Sequence, residues 1–505
     1  MKTLYRATRV HTLGHPRPGE WILVDERHVQ RVGTGDPPAA DRVVDLPGAT
    51  IVPGFIDAHV HLTWTGLSLG DRDVAAARSR EELLRAASDR AAAATDEPLI
   101  RLGGFDETRW ADPALPTMAE LEAVTARPLL IERTDGHISL ANEAALREAR
   151  ALDAEGCERD AAGELTGVAR RDANRRLSMW ASSATSDHRI EELQLAGAAE
   201  AAAHGVTTVH QMAMPLEDGL RDVEVFLRHR DQLPVDTVAV LATTDIAWIM
   251  DLGLGSIGGD LPADGSVGAR TAALSMPYLD ADHEGATTFA DDDLAGFFHD
   301  AHNAGLQAGV HAIGDRAIAQ VLSAWERVYT ALDSRERRHF RARRHRIEHV
   351  EMISSADVER VAALGLAASV QPAFDAAWGH PGGLYDVALG WERASGMNPF
   401  RTMLDRGVVM GVGSDAPVTP LDPWIAIAAM QAHHDESQRL TRLEAVRAHV
   451  TGSARLSHHD DKKGNLEPGE HADFVAYDVD PLMVDDIGGL RPILTVSLGR
   501  EVFAA

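Results

Sequence analysis

Apolar and polar positions follow two distinct rhythms along this chain. The stretches "RPLLIERTDG", "HGVTTVHQM", "PVDTVAVLA", "GLQAGVHAIG", "RRHRIEHVEM", "GLAASVQP" and "RGVVMGVGSD" are short apolar runs bounded by glycine, proline or charge, and read as strands. Between them, residues 79–94, 187–203, 290–304, 315–331, 354–363 and 441–453 carry apolar positions at helical spacing. The first of these opens on Ser79 with Glu82 three residues on, a capping-box pattern. Repeated strand–helix units imply parallel strands, and their number suits a (β/α)8 barrel better than a doubly wound sheet. Residues 66–190 hold too much chain for two barrel units, so an insertion beside the active-site mouth is expected within them. The first fifty residues and the last forty have another texture, short strands and turns, as in "WILVDERHVQRVG" and "RPILTVSLGREVFA".

Composition narrows the function classes. With 505 residues, 45% of them hydrophobic, the chain can bury a large core. A net charge of −28 repels phosphate and argues against nucleic-acid or anionic-membrane partners. Cys157 is the sole cysteine, which rules out an internal disulfide or a cysteine-rich metal site. The opening residues show no signal-peptide pattern and no segment is apolar enough to span a bilayer, so a cytoplasmic protein acting on a small molecule is expected. Lysine occurs only at positions 2, 462 and 463.

The chemistry concentrates at strand ends. In "GFIDAHVHL", His59 and His61 follow a strand-like run and share a face, because strand side chains alternate. Two imidazoles on one face are costly in a core unless something, such as a divalent metal, shares their nitrogens. His311 in "AGVHAIGDRA", His349 in "HRIEHVEM" and Asp415 in "MGVGSDAPV" end further apolar runs. In a barrel such ends converge on one face. Each position alone is a weak signal; five together favour a metal site.

These motifs, with "GFDETRW", "RTDGHISLANEAAL", "DGSVGARTAAL", "GVGSDAPVTPLDPWIAI" and "GNLEPGEHADFVAYD", resemble the amidohydrolase superfamily over nearly the whole chain. The nearest branch is amidohydrolase family 3, which includes N-substituted formamide deformylase-like enzymes. The resemblance implies a distorted TIM barrel over 51–461 and a small β-sandwich composed of 1–50 plus 462–505. It makes His59, His61, His311, His349 and Asp415 metal ligands, with Asp415 moving protons and His311 or His349 polarising the carbonyl. Dimers are common in the family, so a homodimer is among the assemblies it implies.

One departure stands out. Many relatives carry a carboxylated lysine on the fourth strand, and here Asp260 in "GGDLPADGSVG" holds that place with no lysine near it. A carboxylated lysine is therefore excluded. A single catalytic ion is favoured, with Asp260 either a ligand of a second, weaker ion or a turn residue, and Glu132 a lesser substitute. The donor set suits zinc, while iron, manganese or cobalt would also fit. The expected reaction is hydrolysis of a non-peptide C–N bond, foremost an N-formyl or N-acyl amine. Deamination or heterocycle opening is an alternative that needs an acid facing the ring nitrogen, with Glu348 and Asp135 available. A degenerate barrel that only binds a ligand is another.

His137, Asn142, Trp64 and Arg270 are candidate substrate contacts, although a surface ion pair is the expected role of Arg270. Trp110 and Trp424 are read as core. Asp57 and Asp315 are candidates to orient the ligating imidazoles. The pairs His433–His434 and His458–His459 read as solvated surface, since sequence neighbours point apart.

Overall fold

The computed structural model describes the chain from Met1 to Ala505 apart from residues 16, 70–73, 96 and 216–219. Its centre is a ring of eight short strands: β1 (Phe55–Val60), β2 (Val206–Ala213), β3 (Asp236–Leu241), β4 (Ser256–Ile257), β5 (Gln307–Ala312), β6 (Arg346–His349), β7 (Ala367–Val370) and β8 (Val409–Val412). β3, β2 and β1 form one parallel sheet, and β4 to β8 form another in sequence order. The sheets join on both sides. Asp415 N–H donates to the His59 carbonyl at 2.8 Å beside a parallel bridge from Val60 to Ala416, and Gly258 N–H donates to Leu241 at 2.8 Å. Almost every ring residue is buried, which is why these strands read as unbroken apolar runs rather than alternating ones.

Helices cover the outside, among them Asp187–Ala203, Asp291–Asn303 and Asp315–Ala331. Helix Arg80–Ala93 begins where the capping box predicts, with the Ser79 side chain accepting from Glu82 N–H. The reciprocal half differs: the Glu82 carboxylate accepts from Arg78 N–H rather than from Ser79.

The long segment between β1 and β2 builds its own five-stranded sheet, ordered 100–105, 129–133, 138–141, 165–170 and 157–159. The two chain ends meet in a seven-stranded sheet, ordered 500–504, 494–497, 474–477, 42–53, 2–10, 19–25 and 28–33. Lys463 ties this sheet to the ring. Its buried ammonium lies 2.6 Å from Asp473, beside the terminal sheet, and 2.9 Å from both Asp236 on β3 and Thr208 on β2. Among the described residues, no helix is long and apolar enough to cross a membrane.

Candidate active site

The carboxyl ends of the strands deliver six donor residues to one buried point. His59 is the penultimate residue of β1, and its Nδ1 lies 3.0 Å from Glu348 Oε2. A carboxylate only accepts, so Nδ1 holds the proton and Nε2 points a lone pair into the site. His61 sits at the start of helix Leu62–Ser68 and donates from Nδ1 to the Met212 carbonyl at 3.0 Å, which frees its Nε2 in the same way. Asp415, just past β8, brings Oδ1 to 3.1 Å from His61 Nε2 and 3.5 Å from His59 Nε2.

Asp260 stands between two pairs of histidines. Its Oδ2 faces His61 Nε2 at 3.5 Å and His59 Nε2 at 3.7 Å. Its Oδ1 lies 3.2 Å from both His311 Nδ1 and His349 Nε2. A short side chain reaches this point because the backbone leans inward, and the Gly258–Gly259 pair makes that possible. Both have positive φ, and a Cβ on Gly258 would sit 2.1 Å from the Gly309 carbonyl of β5. Asp260 is thus neither a plain turn residue nor remote from the cluster.

Strain marks the same spot. His349 (φ 68°), Val350 (φ 58°) and Asp415 (φ 56°) adopt left-handed backbone conformations, which are costly for side chains bearing a Cβ. Asp415 N–H to His59 and Val350 N–H to the Ala312 carbonyl (3.1 Å) hold them there.

Electrostatics show what the cluster lacks. His59 Nε2, His349 Nδ1 and Asp415 Oδ1 are buried without a hydrogen-bond partner. Burial works against charge on Asp415, but His59, His61 and His349 outweigh it and hold its carboxyl below the usual range. Burial likewise opposes a charge on His311, yet Asp260 and Asp264 push its imidazole up to about 9. The donors gather positive charge, as a proton when nothing else is present, and their chemistry fits a divalent cation. Two overlapping sets, His59–His61–Asp415 and His59–Asp260–His349, each have ligand atoms within 4.8 Å of one another.

Beneath the ligands lies a layer that the motifs do not reveal. Arg346 donates to Glu348 at 2.5 and 2.9 Å and to the Ala58 carbonyl at 2.9 Å, fixing the carboxylate that holds His59. Burial opposes the Glu348 charge, but Arg346 and His59 prevail and hold its carboxyl at about 2. The available signal was an Arg and a Glu at i, i+2 inside a fully buried strand.

A cavity of about 430 Å³ opens on the cluster. Trp64 stacks on His61 with ring centroids 4.6 Å apart, and Phe374 lies parallel to His349 at 6.2 Å. Trp378, Leu384 and Tyr385 complete an apolar wall, and the inserted sheet supplies Arg133, Asp135 and His137. Arg133 is buried and pairs with Glu107 (2.8 Å) and Asp135 (2.7 Å). Two further acids on the wall lie inside motif stretches, Asp264 opening "DGSVGARTAAL" and Glu351 in "RRHRIEHVEM", that did not single them out. Glu351 accepts from the Tyr385 hydroxyl, and burial pushes it up to about 7. Asp264 accepts backbone N–H groups of Ala273, Ile313 and Gly314 at 2.8, 3.0 and 2.8 Å.

Several expectations are corrected. Asn142 does not line the cavity on the cluster: it is buried, caps helix Glu143–Glu148 and donates to the Thr125 and Arg127 carbonyls. Asp57 accepts from the backbone of His59 and Ser414, so it orients the chain and not an imidazole. Asp315 binds the backbone N–H and hydroxyl of Ser275 on the surface. Glu132 is held by Arg101 at 2.7 Å, and Glu348 faces His59 instead of a substrate ring. His433 and His434 are not solvated surface. Past the end of helix Pro423–Gln431 both rings swing onto Asp375, with centroids 4.2 Å apart. Other expectations hold: Arg270 forms an ion pair, with Asp280 at 2.5 Å, and Trp110 and Trp424 are core.

The amidohydrolase family model matches residues 42–503. The chain belongs to the amidohydrolase family. Among its relatives, Protein LONG AFTER FAR-RED 3 of Arabidopsis thaliana is 29% identical over 474 residues, covering 86% of this chain and 78% of that one. N-substituted formamide deformylase of Arthrobacter pascens is 25% identical over 506 residues, covering 91% and 90%. A solved metal-dependent hydrolase from Pyrococcus horikoshii OT3 superposes with a TM-score of 0.76 at 24% identity over 96% of this chain and 99% of that one, which shows a shared amidohydrolase fold. In this amidohydrolase, the six donors occupy the strand ends where the fold exposes its cavity.

Proposed function

We propose that this amidohydrolase cleaves a non-peptide C–N bond, foremost that of an N-formyl or N-acyl amine, with a divalent metal held by His59, His61, Asp415 and Asp260. The observation that carries the reading is the set of buried, partnerless lone pairs on His59 and Asp415 converging beside Asp260. His311 and His349 share the other oxygen of Asp260, so a second ion would find ligands there. When bound, the ion supplies Lewis acidity and lowers the pKa of a coordinated water toward neutrality.

The chain's own groups do the rest. Asp415, held ionised by the surrounding imidazoles, takes the proton of the attacking water and returns it to the leaving nitrogen. Glu348 keeps His59 in the ligating tautomer, and Met212 does so for His61. Trp64, Phe374 and Trp378 form an apolar bed for the amine substituent, and His137 lines the cavity where the acyl group enters. An outer cavity shares Trp64, Trp378 and Leu384 with the inner one and gives a long substituent room. Support for the formamide class comes from the likeness to N-substituted formamide deformylase over most of both chains.

The test is turnover of aryl and alkyl formamides, N-acyl amines and heterocyclic substrates by the metal-loaded protein, beside Asp415→Asn. Formamide or acyl-amine hydrolysis is expected, falling roughly 10²–10⁴-fold in the variant. Turnover of heterocycles alone moves the assignment to ring opening or deamination. A metal-loaded protein inert on the whole panel makes the barrel a binding protein.

A further inference from the structure

Six carboxyl groups of the described residues line the inner cavity, and five have their charge met within the protein. Arg133 lies 2.7 Å from Asp135, and Arg171 lies 2.6 Å from Glu155. Asp264 accepts three backbone N–H groups, while Asp260 and Asp415 face the imidazoles of the candidate metal cluster. Glu351 is the exception. It is only 3% exposed, and the Tyr385 hydroxyl donates to its Oε2. Among the described residues no cation pairs with it and no donor reaches Oε1, which stays open to the cavity.

The rings beside it point to what that oxygen could receive. Phe374 and Trp378, one turn apart in helix Pro372–Trp378, have centroids 4.9 Å apart and planes inclined at 51°. Trp378 meets Tyr385 edge to face at 6.1 Å. Aromatic faces set at angles around one carboxylate attract a cation from several sides, most strongly once it is desolvated. A charge-assisted hydrogen bond to the open oxygen adds the direction that ring faces alone do not give. A neutral alkyl group would fill the same space but leave the buried carboxyl with a single hydroxyl partner. Phe374 lies parallel to His349 at 6.2 Å, whereas Trp378 is shared with the outer cavity. The corner thus stands between the candidate metal cluster and the outer cavity.

We propose that Glu351, Phe374, Trp378 and Tyr385 form a subsite for an ammonium group carried by the amine half of the substrate, with Glu351 setting the specificity. Monoacylated diamines have that chemistry: one nitrogen is acylated and faces the metal site, and the other is free and protonated. Placing the ammonium on the amine half rests on the C–N hydrolase reading above, whereas the affinity of the subsite for an ammonium does not.

Two measurements on the metal-loaded full chain test this, with variants checked by near-ultraviolet circular dichroism. Calorimetric titration compares hexylammonium with hexanol and needs no turnover. Wild type is expected to bind the ammonium at least about tenfold more tightly, and Glu351→Gln to lose that margin. Asp251→Asn removes an exposed acid outside both cavities and is expected to keep the margin, which separates a local effect from attraction to a chain of net charge −28. Trp378→Leu leaves the carboxyl in place and is expected to shrink the margin. No preference in wild type, or a full one in folded Glu351→Gln or Trp378→Leu, overturns the proposal. Turnover then compares N-formylcadaverine with N-hexylformamide, which carries a methyl in place of the ammonium. Wild type is expected to favour the first by about tenfold in kcat/KM, and Glu351→Gln to lose the preference. Equal turnover of the two by wild type overturns the proposal. A Glu351-dependent ammonium preference in titration without turnover of either formamide supports the subsite and refutes the formamide reading instead.

Discussion

Replacing Glu348 by glutamine tests whether the buried layer beneath the ligands governs the metal site. The carboxylate receives the His59 imidazole at 3.0 Å and the Arg346 guanidinium at 2.5 and 2.9 Å. Glutamine fills the same volume but has one acceptor oxygen and loses the charge. If that oxygen serves Arg346, the amide N–H₂ faces His59 Nδ1 and drives the ring to the other tautomer, putting a proton on Nε2 where a ligand lone pair is needed. If it serves His59, the N–H₂ confronts the guanidinium. Breaking a buried ion pair from one side costs about 3–5 kcal/mol of stability. Loss of an outer partner of a ligating histidine weakens metal binding about 10–100-fold, or roughly 1.4–2.8 kcal/mol. The assay is competition titration of the chelator-stripped protein with zinc, alongside thermal unfolding. Arg346→Met/Glu348→Gln checks this: with no guanidinium to claim the amide oxygen, it accepts from His59 Nδ1, so stability and metal affinity both partly return. A Glu348→Gln protein that binds zinc as tightly as wild type refutes the reasoning.

Further outcomes follow from other contacts. Asp260→Asn keeps the shape but removes a negative charge shared by four imidazoles, so zinc equivalents and turnover both fall; full activity with unchanged metal content removes Asp260 from the site. Lys463→Met leaves the buried Asp473 facing the half-buried Asp236 with no cation between them, and a loss of about 3 kcal/mol is expected in denaturant unfolding. Burial depresses the His449 imidazole to about 4. An unfolded chain binds that proton near pH 6.5, so it holds more protons than the native state over that interval. Stability therefore declines as pH falls from about 6.5 through 4, by on the order of 3 kcal/mol from this residue. Unfolding of His449→Gln across that range is expected to show a flatter acid limb.

The ring and its ligands were legible because barrel strands leave a double trace: an apolar run, then a polar residue at its end. His59, His61, His311, His349 and Asp415 all follow that form, and they converge. Asp260 was harder to read, since strand β4 is only Ser256–Ile257 and its approach depends on two glycines packed against β5. Asn142 and Asp315 both stand at helix starts, where polar side chains are taken up by backbone groups, nearby for Asn142 and on the distant Ser275 segment for Asp315, and look functional in a bare sequence. His433 and His434 misled through geometry. The rule that neighbours diverge belongs to regular elements, and it fails where a helix ends and side-chain torsions alone decide direction. Glu351 and Asp264 sit within the motifs "RRHRIEHVEM" and "DGSVGARTAAL", but only packing reveals them as buried acids on a cavity wall.

The terminal sheet has a consequence for how the chain is made. Strand 42–53 is paired on one side by 2–10 and on the other by 474–477, with Val52 opposite Val475. During synthesis the first partner precedes it, whereas the second follows only after every strand of the barrel has emerged. Until then the nascent chain carries an unsatisfied row of amides and carbonyls beside a growing barrel, an open invitation to another unfinished copy. A premature stop before residue 474 would therefore preserve all six donors at the cavity and still yield a product dependent on holdase chaperones.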